Sequence, residues 1–445
     1  MSKSYKIVPF DVDQPCLILH SGQIKQMENS RMTTIHFGLQ ELEVACSQSS
    51  KLKDNEIGIS NQLISMLKIP LGVDYELSFQ AESIIIGPFI GYLIGKTHSE
   101  TKRRLKKFKR INIQYPFIGG LIIAFSWEEA VKINSTIKGF MYDPSSGKWK
   151  EGTYPLPAVL ANRMYWLSNK RKKVLKSIYG QRFFNSAAIN KWKMHKLLSA
   201  NEDLLQHLPK TILYKKPEDI PNYLHRFRKL YVKPIVGKMG IGIVQIISED
   251  DSFCIKYRKG NKNQTEHFSS EADLLEYAAA KFKKNKFIIQ EPIKNELKDR
   301  QVIDFRIFLV KNQSGQWEDV GMIARKGSKG SIVSNLSNGG LLISPNKTIM
   351  SSFHLSKSET RNIRKKMSDI AIKAIKEIDQ YENIYKYGVD IALDRQCNIF
   401  LIELNHINPG YRDELPAEAT ARIRDSMLSY AKYLAGFPKF EDKSQ

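Results

Sequence analysis

Acidic residues, cysteines and long apolar runs are all scarce in this chain of 445 residues, and each scarcity excludes something. Asp and Glu number 46 against 69 Lys and Arg, which leaves a formal charge of +23. A field of that sign favours polyanionic partners such as nucleic acid, anionic envelope polymers, nucleotides or acidic peptides. A lysine-rich composition without functional meaning explains the same count, and both readings stay open at this point. The densest basic runs, KRRLKKFKR at 102–110 and KRKK at 170–173, come without an aromatic-rich RNP sheet or a GxxG clamp. Nucleic acid is therefore not an expected partner. The four cysteines, Cys16, Cys46, Cys254 and Cys397, form no CxxC pair and have no histidine at zinc-like spacing. Neither a disulfide scaffold nor a zinc module is expected, and a reducing compartment is. No apolar stretch reaches the roughly 18 residues of a membrane span. The best, SIIIGPFIGYLIG at 83–95, is short and is broken by Gly87 and Pro88. The start, MSKSYKIVPFDVD, lacks the basic head and apolar core of a signal peptide, so a cytoplasmic location is expected.

What is present is an ordinary globular mixture, 42% hydrophobic, with 10% aromatics that argue against wholesale disorder. The length suggests about two or three domains or lobes. Up to residue 150 the chain reads as short β pieces, with apolar stretches at 33–46 and 75–95. The turn formers of DPSSGKWKEGTYPLP, 143–157, read as a boundary. Residues 158–208 read as helical, with Trp192, Met194, Leu197 and Leu198 on an apolar face. From Ile212 onward strand and helix patterns alternate, with strands at 229–236, 242–247, 253–257, 287–290, 304–310, 388–393 and 398–404. A hairpin-type turn is expected at 259–264. A helix over 356–380 opens on a Ser356/Glu359 capping box and carries Ile363, Met367, Ile370, Ala374 and Ile378 on one stripe. A last helix covers 417–434. The class is α+β on antiparallel strands, without the strict βαβ alternation of a Rossmann domain.

Four constellations carry chemistry. Lys233-Pro234 is followed by Gly237, Gly240 and Gly242. A lysine at a strand end places a point charge on a phosphate, and the glycines let a loop close over it. The run FIIQEPI at 287–293 offers backbone groups and the Gln290 amide to an adenine edge. Asp304 and Arg306 lie two apart on a strand and so share a face, with Arg325, Ser334-Asn335 and Gly339-Gly340 downstream. The segment 326–340, KGSKGSIVSNLSNGG, reads as a mobile loop. Finally Asp390 precedes Glu403 and Asn405, which share a face of the next strand. Two carboxylates and an amide oxygen suit Mg²⁺ bound with phosphates.

In this order, KP…GxG, DFR, R…SNLxxGG, GVD and ExN…PG resemble the ATP-grasp superfamily, and within it the YheC/YheD-type, endospore coat-associated proteins. GTYPLP at 152–157, NKW at 190–192 and LPKT at 208–211 agree with that likeness, which spans about 155–435. The resemblance implies two α/β lobes with antiparallel sheets clasping ATP, over 191–440, preceded by a β-rich domain over 1–150 and a helical connection over 151–190. It implies that Lys191 and Lys233 hold phosphates under the loop of Gly237, Gly240 and Gly242. Gln290, Glu291 and Ile293 form the adenine hinge, and Asp304 meets the ribose, with Glu296 as its competitor. Arg306, Arg325 and Asn335 lie near the γ-phosphate and acyl substrate. Asp390, Glu403 and Asn405 bind Mg²⁺. The link His406-Ile407-Asn408 before Pro409-Gly410 is one residue longer than the usual pattern.

The expected reaction is ATP-driven, Mg²⁺-dependent ligation of a carboxylate to an amine or thiol through an acylphosphate, with both substrates unnamed. An ATP-grasp kinase and a coat-associated binding protein that retains the fold without turnover are the alternatives. Location follows the family: the mother-cell cytoplasm or the spore coat, where the basic surface meets anionic polymers.

Overall fold

Four sheets follow one another along the chain. The computed structural model describes residues 3–24, 32–80, 83–106, 108, 111–132, 136–164, 167–185, 189–237, 240–250, 252–260, 262–295, 301–334, 339–406 and 415–437, with the backbone alone at 24, 111–113 and 117. The first sheet closes into a barrel of seven strands. Their order is Tyr5–Phe10, Glu56–Ser60, Cys16–Leu19, Gln40–Gln48, Met32–Phe37, Ser83–Gly87 and Asp74–Gln80. Leu17, Leu19, Ile35, Phe37, Ile57 and Ile59 are all fully buried. This is the period-two placement that one strand face demands.

The second sheet has six strands, ordered Lys148–Pro155, Thr136–Asp143, Leu121–Ser126, Phe89–Gly95, Val159–Asn162 and Phe183–Phe184. Phe89–Gly95 runs parallel to both its neighbours and is buried at every position. Parallel strands covered on both faces read as continuous apolar runs. The apolar stretch at 83–95 is thus two strands in two different sheets. A Cβ on Gly91 would lie 2.5 Å from Cγ of Pro157, so that glycine lets the chain pass. Two expectations fail here. The turn-rich stretch at 143–157 is one arm of a hairpin, pairing Asp143 with Lys148 through to Thr136 with Pro155. Turn formers close hairpins as readily as they open linkers. The stretch after 157 begins as strand Val159–Asn162 and becomes helical only at Asn169–Tyr179.

Two α/β lobes complete the chain. One is a six-stranded antiparallel sheet, ordered Thr211–Leu213, Phe287–Gln290, Lys229–Pro234, Val244–Ser248, Phe253–Lys259 and Lys262–Phe268. Helices Asp219–Phe227 and Glu271–Lys281 contribute Ile220, Leu224, Leu274 and Ala278 to its core. The other has five antiparallel strands, ordered Leu341–Ile343, Trp317–Lys326, Ile303–Lys311, Lys386–Leu393 and Ile399–Asn405. Helix Lys357–Asp379 packs on it through Met367, Ala371, Ala374, Ile375 and Ile378, and the Ser356/Glu359 capping box is formed at its start. The last helix, Ala417–Leu434, returns to the N-terminal core with Met427, Leu428, Tyr430 and Ala431. Lys432 pairs with Glu76, and the Gln114 amide donates to Asp425 at 3.0 Å.

Lys311 ties this return together. It is only 4% exposed, and its ammonium donates to Asp379, Asn383 and the Tyr430 hydroxyl at 2.9, 3.0 and 3.1 Å. Burial pulls its pKa below the ordinary lysine value, while Asp379 opposes the shift. Among the described residues, Lys311→Met leaves the Asp379 charge with only the Trp317 N–H and the Asn383 oxygen with only the Tyr430 hydroxyl as donor. We expect it to lower unfolding free energy by about 3 kcal/mol, read by urea denaturation of wild type and variant.

Candidate active site

The register of the five-stranded sheet fixes a row of charges. Arg325 faces Asp304, Arg306 faces Asp390, and Asp390 faces Glu403 across three successive strand pairs. Asp304 and Arg306 share a face, as their spacing predicts. Arg325 grips Asp304 with Nε and Nη2 at 2.6 and 2.8 Å, and its Nη2 also lies 3.1 Å from Asp390. Arg306 grips Asp390 in the same forked way at 2.6 and 2.8 Å. Asp304, Arg325 and Asp390 are 7%, 3% and 5% exposed, so each charge depends on its partners for what water would have supplied. Burial works to raise the Asp390 pKa, but Arg306 and Arg325 outweigh it and hold the carboxyl at about 2.

Across the cleft stand two ammonium groups. Lys191 opens helix Lys191–Leu198, whose cap is Asn190. Its Nζ lies 2.9 Å from Oε1 of Glu403 and donates to the Gly237 carbonyl at 3.2 Å. Lys233 lies at the end of Lys229–Pro234 and donates to Oε1 of Gln290 at 2.6 Å. The Gln290 amide nitrogen in turn donates to Thr211 at 2.9 Å. Burial and, after it, the neighbouring Lys191 cation lower the Lys233 pKa to about 8, against the opposing Glu403. The loop beside them needs its glycines. Gly240 and Gly242 have φ of 73° and 76°, where an ordinary side chain is strained.

Lys191, Lys233, Gly240, Gln290, Glu291, Ile293, Asp304, Arg325, Asp390 and Glu403 line one cleft. The sequence analysis placed all ten at a site. Arg306 and Asn405 reach it through Asp390, to which the Asn405 amide donates at 3.1 Å. Gly237 reaches it through Lys191, and Gly242 packs near Pro234. Asn335 and Glu296 lie outside the described residues. Three roles change. The Gln290 amide is used by Lys233 and Thr211, so it aims a lysine instead of facing an adenine. Asp304 is held by Arg325 and the Ser334 hydroxyl, so it anchors a guanidinium at the edge of the cleft. Ser331, Ile332 and Ser334 are at most 9% exposed, so this part of the 326–340 stretch is packed and lines the cleft. Ser334, Thr211 and Tyr231 were missed as site residues. Ser334 and Thr211 sit inside segments already marked by SN and LPKT, but their partners come from register, which sequence does not print.

The chain is similar to known proteins. A family model described as "YheC/D like ATP-grasp" matches residues 180–434. The chain is 26% identical over 371 residues to the endospore coat-associated protein YheD of Bacillus subtilis (strain 168), covering 79% of each. It is 24% identical over 327 residues to the endospore coat-associated protein YheC of the same organism, covering 69% of this chain and 85% of the relative. A solved D-Ala:D-Ser ligase, VanG from Enterococcus faecalis, aligns with a TM-score of 0.44 at 12% identity, covering 78% of this chain and 98% of that one.

Lys233 is a cation held against its solvation. Its folded pKa of about 8 lies below the 10.5 of a free lysine, so between those values the unfolded chain binds more protons. Stability contributed at this residue therefore rises with pH through that window. Lys233→Met is expected to raise the melting midpoint by a few degrees near neutral pH. Melts monitored by circular dichroism check it, and the gain over wild type should shrink as pH approaches about 10.

Proposed function

The chain belongs to the YheC/D-like ATP-grasp family, and we propose that it is an ATP-dependent ligase joining a carboxylate to an amine or thiol through an acylphosphate. One observation carries the reading: two lysine ammoniums from one side and the Asp390–Glu403 pair from the other meet in a single cleft. That is the arrangement a triphosphate needs, with point charges on its oxygens and acids to hold a metal.

Lys191 and Lys233 bind phosphate oxygens, Lys233 aimed by Gln290. The backbone around Gly237, Gly240 and Gly242 closes over them, and the Glu291 and Ile293 backbone borders the base. The Glu291 side chain accepts from the Lys210 backbone at 2.7 Å, pinning that hinge to the chain before Thr211. Asp390, Glu403 and Asn405 would hold Mg²⁺. Two carboxylates and one amide on paired strand positions are a hard oxygen set, and a half-turn of the Asn405 amide presents its oxygen. When bound, the metal neutralises and templates the phosphate oxygens. Lys191 then exchanges Glu403 for phosphate. Arg306 uses Nε and Nη2 on Asp390, and among the described residues its Nη1 has no hydrogen-bond partner. It is left for the anionic group of the acyl substrate or the acylphosphate. Arg325, spent on Asp304 and Asp390, is a positioning residue. The substrate carboxylate attacks the γ-phosphorus and ADP leaves; the amine then adds to the acyl carbon and phosphate leaves. No protein nucleophile takes part. The names of its relatives, endospore coat-associated proteins, support a proposed location at the coat, where a charge of +23 suits anionic polymers.

Thermal melting with ATP or ADP, with and without Mg²⁺, tests this reading. Nucleotide at about 100 times its Kd adds roughly 2.7 kcal/mol to stability, and we expect that gain only with metal. Glu403→Gln should abolish the metal dependence and lower ATP turnover by about a hundredfold or more, with the fold retained. ADP release that rises on adding an amine supports ligation. Release indifferent to every amine and thiol supports a kinase, and no nucleotide effect on melting leaves a coat component without turnover.

A further inference from the structure

We propose that Glu249, Cys254 and His267 form a zinc site on the outer edge of the six-stranded lobe, separate from the cleft. Cys254 and His267 are register partners on Phe253–Lys259 and Lys262–Phe268, so their side chains leave the sheet on the same face. Glu249 follows directly after Val244–Ser248, the strand on the other side of Cys254. A tight turn, with the Glu249 N–H donating to the Ser252 carbonyl at 2.8 Å, brings its carboxylate back over that face. One ligand atom from each of the three residues lies within 4.8 Å of the others, and Glu249 Oε2 is 3.9 Å from His267 Nδ1. Among the described residues no other trio of His, Cys, Asp or Glu converges this closely.

The environment of the thiol is the second observation. Phe253, Ile255 and Tyr257 pack into the apolar core of the lobe. Cys254, on the alternate face, is 2% exposed and yet belongs to no apolar cluster. The His267 imidazole and the Glu249 carboxylate each bring a ligand atom within 4.8 Å of its sulfur. Tetrahedral zinc, with bonds of about 2.0–2.3 Å, spaces its ligands roughly 3.3–3.8 Å apart. Closing the trio by about an ångström needs only rotation of Glu249 and His267, whose side chains are 47% and 64% exposed. Sulfur, nitrogen and oxygen together select zinc over magnesium, and the all-oxygen set in the cleft selects the reverse. Water takes the fourth position on the solvent side. The ion would clip three consecutive strands together at the sheet margin, where among the described residues Lys262–Phe268 has no further neighbour on its outer side.

The full-length protein, stripped with chelator, is titrated with Co²⁺ and, separately, melted with Zn²⁺. A thiolate-to-cobalt charge-transfer band saturating at one equivalent is expected, with a rise in midpoint on adding zinc. Cys254→Ser should lose both. His267→Gln, at an exposed position that tolerates exchange, should weaken cobalt binding at least about tenfold and remove most of the zinc shift. Mg²⁺ should not compete. A wild-type protein that shows no thiolate band, or a band unchanged in Cys254→Ser, overturns the proposal. Zinc stabilisation of equal size in both variants overturns it as well, because the metal then binds elsewhere.

Discussion

A guanidinium taken out of water demands carboxylates along its fork, and Arg325 meets that demand with two. The cost of burying these charges is recovered only if the geometry is close to ideal. That requirement constrains much more than one residue. Asp304 and Arg325 must be opposite each other, which fixes the register of Ile303–Lys311 against Trp317–Lys326. Arg306 and Asp390 must be opposite, which fixes the next strand. A slip of one residue would turn every one of these side chains to the other face and into the apolar core. Because Asp390 is locked, Glu403 beside it is placed as well, and the acids of the cleft arrive already oriented.

The other wall carries the opposite tension. Lys191 and Lys233 raise each other's energy, and burial raises that of Lys233 further. Glu403 relieves this by reaching across to Lys191. The charges of the cleft thus pair with one another, and on the proposed function nucleotide binding would be an exchange of partners, not the capture of free charges. Sites built this way sacrifice stability for readiness. The two walls also differ in what aims their charges. A buried amide positions Lys233, whereas guanidiniums position Asp390.

Much of this was legible because it depends on spacing within one strand or one helix turn. Glu403 and Asn405 on one face, Asp304 and Arg306 on another, and the Ser356/Glu359 cap each follow from a period of two or an offset of three. The partners were not legible. That Arg325 answers Asp304, or that Gln290 serves Lys233, depends on which strands are neighbours, and Phe287–Gln290 lies between Thr211–Leu213 and Lys229–Pro234 out of chain order. The N-terminal barrel was invisible for the same reason. Its parallel pairs, such as Tyr5–Phe10 with Glu56–Ser60, join segments about fifty residues apart. The hairpin at 143–155 was misread because glycine, proline and serine signal a turn without saying whether the chain comes back.

The charge of the cleft explains why a metal belongs to the proposed chemistry. Lys191, Lys233, Arg306 and Arg325 supply four positive charges, and Glu291, Asp304, Asp390 and Glu403 supply four negative ones. The sum is zero, in a protein whose formal charge is +23, so the strong field outside is not carried into the site. A nucleoside triphosphate brings about four negative charges. A neutral cleft of low polarisability does not welcome them unless a divalent cation comes too. On the proposed function, the surplus of lysine would draw anions to the surface, and the balanced cleft would favour those whose charge has been partly cancelled. Neutralising Glu403 upsets this balance in a definite direction: the cleft becomes cationic, metal-free nucleotide binds better, and the metal no longer decides the outcome.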